Sequence, residues 1–185
     1  MGFVDYYLGK EQPDYLPVSG LISYVWDRFQ EINRYADFIE HFRAQVVDIS
    51  DSPESSIVHW DLAAGPKIEN HFLVFREDDR TEGTFDLDFY GGGLANFRVQ
   101  IFSKGMLLSR RRVMNKYKSL HDFVERKLGR GQEDKDLDRI IWRDSKNGLV
   151  VTLRRVAKLA IHEPSSISFT ITKEEYYGPI NLPQV

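Results

Sequence analysis

The sequence predicts an α+β fold in which an antiparallel sheet of about six to eight strands carries two helices on one face. Three observations lead to this prediction: strands that alternate apolar and polar residues, two stretches with helical spacing, and turn dipeptides between strands. Alternating strands give a sheet one polar face, so the helices are expected to cover the other. The 185 residues, 42% of them hydrophobic, suit a single domain over residues 1–185.

The clearest helical pattern begins near residue 21, after an irregular arm expected over residues 1–19. Neither glycine nor proline interrupts residues 21–52, and Ser19 is placed to cap a helix at its N-terminus. We therefore expect one long N-terminal helix. The apolar residues that recur every three or four positions are Ile22, Val25, Trp26, Phe29, Ile32, Ala36, Ile39 and Phe42.

The strands begin with two β-rich stretches at residues 46–49 and 57–60, which flank a proline-containing turn and predict a hairpin. Residues 70–76 follow and include apolar side chains on both faces. This composition is typical of a central strand that is covered on both sides.

The strongest strand signal is a hairpin around three glycines at residues 91–93. Because side chains alternate between the two faces, the loop length decides which residues face each other. A two-residue loop would put Leu87 opposite Asn96, so we expect a three-residue loop, with Asp86 paired to Arg98 on the polar face. The expected apolar pairs are Phe85–Val99, Leu87–Phe97 and Phe89–Ala95.

A second helix is predicted over residues 113–128, where apolar residues form one stripe and Gly129 follows as a C-terminal cap. The polar residues 130–138 are expected to form a loop, and the dipeptide at 147–148, Asn-Gly, predicts a hairpin turn. The flanking and final strands are placed at residues 140–142, 149–153 and 167–171, and the tail at 178–185 is expected to be extended.

Composition narrows the classes of function. The chain has no cysteine, so disulfides, thiolate metal sites and cysteine nucleophiles are excluded. The net charge of −3 argues against a nucleic-acid partner. We find neither a secretory signal at the N-terminus nor an apolar run of the ~20 residues that a membrane helix needs. We therefore expect a cytoplasmic protein with no membrane partner.

Candidate chemistry is sparse, so we expect no catalytic residue, metal or cofactor. His59, Asp61 and His71 are able to cluster if they share neighbouring strands, but we interpret them as residues of the polar sheet face. Asp86 and Asp88 lie on one side of a strand roughly 6–7 Å apart, a separation suited to acid–base work. We favour an ordinary ion pair between Asp86 and Arg98. The glycine run joins two strands and reads as a hairpin turn, not as a phosphate loop.

The charge pattern is the feature that we follow furthest. Residues 104–118 are basic and hold no acidic residue, whereas residues 133–138 are mostly acidic. In one interpretation, the two runs are solvated or neutralise each other. In the other, the basic run binds an acidic protein or an anionic ligand. Tyrosines near the C-terminus either form an interface or fold back over the sheet edge. The residues assigned to partner binding are Arg110, Arg111, Arg112, Lys116, Tyr176 and Tyr177.

These observations favour a non-enzymatic binding protein, such as an inhibitor, immunity protein, adaptor or chaperone-like module, which acts through protein–protein contacts. One alternative is an apolar-ligand binder or enzyme with a cavity between the helix and a curved sheet. Over residues 21–102, the helix with Val25, Trp26 and Asp27 and the strands after it resemble the helix-grip family of lipid and polyketide binders. That family closes its cavity with a long C-terminal helix, whereas three strands follow the late helix here. A structural subunit of a larger assembly is the third interpretation.

Overall fold

The computed structural model describes residues 18–38, 49–50, 68–78, 81–103, 108–156 and 166–177. These residues form an antiparallel sheet with helices, which confirms the α+β prediction. The elements are, in chain order, α1 (Val18–Asp27), β1 (Ile49–Ser50), β2 (Ile68–Asp78), β3 (Thr81–Tyr90), β4 (Gly93–Ser103), α2 (Leu108–Leu128), β5 (Gln132–Asp134), β6 (Arg139–Asp144), β7 (Leu149–Val156), β8 (Ser166–Lys173) and a short 3₁₀ helix (Glu174–Tyr176).

The eight strands form one sheet in the order β1-β2-β3-β4-β8-β7-β6-β5, and every neighbouring pair is antiparallel. In each half of the sheet, a helix is followed by four strands that pair in sequence order. The two halves join where β4 pairs with β8, with Asn96 opposite Thr172 at one end and Phe102 opposite Ser166 at the other. Residues that are distant in sequence therefore become neighbours at this seam.

The β3–β4 hairpin has most of the predicted residue pairs, but its loop length differs from the prediction. Its loop has two residues, Gly91 and Gly92, with φ angles of 60° and 82° that favour glycine. A bulge then leaves Ala95 without a directly opposite residue, so Phe89 pairs with Leu94 instead of Ala95. The prediction of a three-residue loop was therefore wrong. The confirmed pairs are Phe85–Val99, Leu87–Phe97 and Asp86–Arg98.

The core lies between one face of the sheet and the two helices. Phe85, Leu87, Phe97 and Val99 are at most 1% exposed, as the alternating pattern predicts. Helix α2 contacts β4, β6, β7 and β8. Its core residues are Val113, Leu120 and Val124.

Helix α1 is anchored by a polar contact inside this core. The Nε1 of Trp26 donates a hydrogen bond of 2.9 Å to Oδ2 of Asp144, which also accepts one of 2.7 Å from the side chain of Asn147. The ring of Trp26 meets Phe123 of α2 edge to face at 5.9 Å, and Lys127 lies 4.7 Å from the Trp26 ring centre. One tryptophan thus joins α1 to both α2 and the second half of the sheet.

The prediction of one long N-terminal helix from residue 21 differs from the observed structure. Helix α1 ends at Asp27, turns follow, and residues 35–38 are helical again. The carbonyl of Ile32 accepts a hydrogen bond from the backbone N–H of Leu94, at 2.9 Å, so it is directed towards the sheet. The carboxylate of Asp37 accepts the Arg34 N–H at 3.1 Å and caps the second helical segment. The helical spacing of apolar residues continues past Asp27 without a proline or glycine. The backbone there nevertheless leaves the helix and pairs with β4.

Other boundaries also differ from the predictions. The helix α1 begins at Val18, so Ser19 lies inside it and is not its N-cap. The strand β5 occupies part of the loop predicted over 130–138, because pairing with β6 overrides its polar composition. The Gly129 cap is confirmed by its φ of 80°. Of the hairpin predicted at residues 46–60, only 49–50 are described, and the tail at 178–185 and most of the arm at 1–19 lie outside the described residues.

Candidate functional site: the polar face of the sheet

The sheet face opposite α1 and α2 carries mainly polar side chains, and we call it the polar face. It follows from strand alternation, since its residues alternate with those of the core and pair across the strands. Its described side chains are Asn70, Thr84, Asp86, Asp88, Tyr90, Asn96, Arg98, Gln100, Phe102, Gln132, Asp134, Arg139, Ile141, Arg143, Val150, Thr152, Arg154, Ser166, Ser168, Thr170 and Thr172.

A hydrogen-bonded chain of polar side chains crosses four strands of this face. The amide nitrogen of Asn70 donates to one carboxylate oxygen of Asp86 and one of Asp88, each at 2.6 Å. The side chain of Asn96 donates to the other oxygen of Asp88 at 2.8 Å and accepts from the Thr172 hydroxyl at 2.8 Å. This chain runs from β2 to β8 and so links the two halves of the sheet.

The paired carboxylates are held close together. Two contacts of 2.6 Å to one Asn70 nitrogen place the Oδ1 atoms of Asp86 and Asp88 at most 5.2 Å apart (2.6 + 2.6). Burial raises the pKa of Asp86, and the charge of Asp88 raises it further, while the Asn70 hydrogen bond and the charge of Arg98 oppose the rise. Asp86 contacts Arg98 at 3.4 Å, which confirms the predicted cross-strand ion pair. Their contacts make these carboxylates a structural link between strands.

Arginines dominate the second half of the polar face. Arg139 and Arg154 lie directly opposite each other on β6 and β7. Arg139 bonds Asp134 at 2.9 Å, whereas Arg154 is exposed and has no ionic partner among the residues that the structure describes. Like charges at directly opposite positions destabilise a sheet, and among the described residues Asp134 balances only the charge of Arg139, so Arg154 is left as the uncompensated cation of the pair.

Small neutral side chains separate Arg98 from Arg154. The two arginines lie on β4 and β7, on either side of β8, where Arg98 pairs with Thr170 and Arg154 pairs with Ser168. Thr152 is directly opposite Thr170 on β7. The side chains of these three hydroxyl residues are half-buried and form a neutral floor between two cationic groups.

The predicted tyrosines lie at one end of the polar face. The ring of Tyr176 meets that of Tyr90 edge to face at 4.8 Å, and the guanidinium carbon of Arg143 lies 5.9 Å from the Tyr177 ring centre. The Tyr177 hydroxyl is buried and has no hydrogen-bond partner among the described residues. Val150, on the same face between Thr172 and Arg143, is fully buried. These contacts favour the interpretation that the tyrosines fold back on the sheet.

The predicted basic residues lie elsewhere, on α2. Arg110, Arg111 and Arg112 fall in its first turns, although their side chains are outside the described set, and Lys116 is half-buried further along. Helix α2 follows the Ser103 end of β4, whereas Tyr176 follows the end of β8 that pairs near Gly93. The structure therefore places the basic residues and the tyrosines at opposite ends and on opposite faces of the sheet, so they do not form one site.

Two of the acidic residues in the run at 133–138 are paired with arginines of the sheet. Asp134 bonds Arg139 at 2.9 Å and Asp138 bonds Arg155 at 3.0 Å. The hydrogen bond from Arg139 lowers the pKa of Asp134, although partial burial opposes this. Arg139 and Arg155 thus supply these two contacts from β6 and β7, a pairing that the sequence pattern did not indicate.

The histidine interpretation also needs correction. His71 is buried on the core side of β2, where it is 7% exposed, stacks on Tyr35 at 3.7 Å and bonds the carboxylate of Glu69. It therefore does not belong to the polar face. His59 and Asp61 lie outside the described residues. Among the residues that are described, no three His, Asp or Glu side chains are grouped to hold a metal ion.

Sequence reasoning identified Asp86, Asp88 and Arg98 but missed Arg154. The available signal was the alternation of β7, which places Arg154 on the side away from Leu153. In the described part of the chain, no helix has the length and apolar character needed to span a bilayer. Comparison with known proteins found no matching family model, curated protein or solved structure.

Proposed function

We propose that this protein is a non-enzymatic binding protein that uses the polar face of its sheet to contact a protein partner. The observation that carries the proposal is the exposed, unneutralised Arg154 among polar residues on the face that α1 and α2 leave free. Asp134 balances the charge of Arg139 opposite, so Arg154 is the cation of this pair that an acidic group of a partner can neutralise. A cytoplasmic location, expected from the sequence, belongs to the same proposal.

The packing of the core favours this function over an apolar-ligand cavity. Phe38 contacts Phe85 and Phe97, with ring centres 6.4 and 6.2 Å apart, and all three side chains are at most 1% exposed. At these three residues, the space between the helical segment and the first half of the sheet is therefore occupied by the protein's own side chains. An apolar ligand usually occupies a preformed cavity, and the contacts of Phe38 leave no room for one at this point.

The proposal is tested by quantitative affinity purification from the cells that express the protein. The variant Thr170→Glu adds a bulky anion at the centre of the polar face, beside Arg98. The matched control, Ser119→Glu, makes a similar change at an exposed position of α2 on the other side of the sheet. Circular dichroism first establishes that both variants fold as the wild type does.

We expect at least one protein to be enriched by the wild type and by Ser119→Glu, but lost with Thr170→Glu. Equal loss with both variants, or no protein enriched above a tag-only control, would contradict the proposal. Contact through α2, as the predicted role of Arg110, Arg111 and Arg112 implies, would give the opposite pattern, with binding lost only in Ser119→Glu.

A further inference from the structure

We infer that the partner contributes an acidic, extended peptide segment, and that Arg98 and Arg154 bind its carboxylates. This inference rests on the proposed function and adds the chemistry of the partner. It concerns the part of the polar face around β8, where the two halves of the sheet meet.

The two arginines are anchored at a spacing that suits a peptide. Arg98 and Arg154 are two strands apart and pair with Thr170 and Ser168, which are alternate residues of β8. With strands ~4.8 Å apart and alternate residues ~6.7 Å apart, their Cα atoms are separated by roughly 12 Å. Same-side residues of an extended peptide recur at roughly 7 Å intervals, so carboxylates four residues apart are roughly 13 Å from each other. Each of the two arginines can therefore bind one of two carboxylates at that spacing.

Neither arginine is fully neutralised by the described residues. Arg98 makes a single contact of 3.4 Å with Asp86, and its side chain is 41% exposed. Arg154 is exposed and faces Arg139, whose charge is already balanced by Asp134. A guanidinium group has five N–H donors, so both arginines keep donors for an incoming carboxylate. Such charge-assisted bonds are stronger than bonds between neutral groups.

The surface between the arginines does not repel an anion. Ser168, Thr170 and Thr152 are neutral hydroxyl residues, and Gln100 is opposite Ser168 on β4. The acidic pair Asp86 and Asp88 lies beyond Arg98, on β3, with its oxygens occupied by Asn70, Asn96 and Arg98. Carboxylates of a partner would therefore meet cations and hydroxyl donors at this point of the sheet.

The spacing favours carboxylates over a single phosphate group. A phosphate is bound by donors that converge on one centre, whereas Arg98 and Arg154 are on strands separated by β8. A nucleic-acid backbone also offers repeated anions, but a net charge of −3 disfavours that class of partner. Acidic peptide is therefore the partner chemistry that the arrangement supports best.

Binding is measured by fluorescence anisotropy with the full chain and a fluorescein-labelled octaglutamate peptide, with octaglutamine as the uncharged reference. The test variants are Arg98→Gln, Arg154→Gln and the double variant. Arg126→Gln is the matched control, since Arg126 is an exposed arginine of α2, away from the polar face. Thermal unfolding checks that each variant is folded, and Arg154→Lys retains the charge if Arg154→Gln is unstable.

We expect octaglutamate to bind and octaglutamine not to bind. Each single variant should weaken binding about threefold and the double variant about tenfold, as expected for exposed ion pairs, while Arg126→Gln binds as the wild type does. Raising the salt concentration should weaken binding, because exposed charges are screened. Arg154→Lys should bind between the wild type and Arg154→Gln, since lysine keeps the charge but loses the planar fork.

Three results would overturn the inference: no binding of octaglutamate, equal weakening by Arg126→Gln, or tighter binding of a phosphoserine peptide or an oligothymidylate than of octaglutamate. The outcome is separable from that of the proposed function. If Thr170→Glu abolishes a cellular interaction while octaglutamate does not bind, the polar face is an interface but not for acidic peptide.

Discussion

The hydrogen bond between Trp26 and Asp144 offers the most direct test of how the fold is held together. Both side chains are at most 5% exposed, and the bond is 2.9 Å long. Replacement of Asp144 by alanine leaves the Trp26 N–H buried without an acceptor, which costs about 1–3 kcal/mol, and also removes a bond to a charged group worth about 1.5–3 kcal/mol. These estimates overlap because they describe the same bond. We expect Asp144→Ala to lower the free energy of unfolding by about 2–4 kcal/mol.

A double-mutant cycle isolates the contribution of this bond. Trp26→Phe removes the donor and part of the ring, while the combined variant removes both partners. The expected interaction energy between the two sites is about 1.5–3 kcal/mol, measured by urea unfolding and followed by far-ultraviolet circular dichroism. Tryptophan fluorescence is unsuitable because the two variants that carry Trp26→Phe lack one of the three tryptophans. An interaction energy below about 0.5 kcal/mol, the usual error for independent sites, would refute the reasoning.

The same contact should be sensitive to acid. Burial would raise the pKa of Asp144, but hydrogen bonds from Trp26 and Asn147 and the charge of Lys127 outweigh it, so the pKa is lowered. A carboxyl with a lower pKa in the folded state stabilises the fold above its unfolded pKa of about 3.9. That contribution disappears as the pH falls through the folded pKa. The stability difference between the wild type and Asp144→Asn should therefore shrink below about pH 4.

Other perturbations test the sheet and its turns. A Cβ at Gly131 would lie 2.5 Å from both Ile140 and Trp142, so we expect Gly131→Ala to cost about 1–3 kcal/mol in urea unfolding. Gly129→Ala meets no atom within 4 Å and should cost only about 1 kcal/mol, from its φ of 80°. Because burial raises the pKa of Asp86, its carboxylate destabilises the fold as the pH rises through that pKa. The free energy of unfolding of Asp86→Asn, relative to that of the wild type, should therefore be higher at pH 7 than at pH 3. The opposite trend would contradict this prediction.

The architecture could be predicted from the sequence where the local pattern of apolar residues agrees with the tertiary structure. Alternation placed Phe85, Leu87, Phe97 and Val99 on the core side because each strand of this hairpin has one covered face. The pattern did not reveal the bulge at Ala95, since a two-residue turn with a bulge and a three-residue turn preserve most of the same pairs. The break after Asp27 was also hidden, because its cause is a hydrogen bond to Leu94 on a distant strand.

The candidate site was harder to predict for a related reason. Arg110, Arg111 and Arg112 attract notice because they are adjacent in sequence, but adjacent helical residues point in different directions. Arg98 and Arg154 are far apart in the chain, and only the order of β4, β8 and β7 brings them to one surface. A sequence without a known strand order cannot reveal such a pair. A site that straddles the β4–β8 junction therefore depends on both halves of the sheet, and weakening that junction at Asn96 or Thr172 should impair binding without changing either arginine.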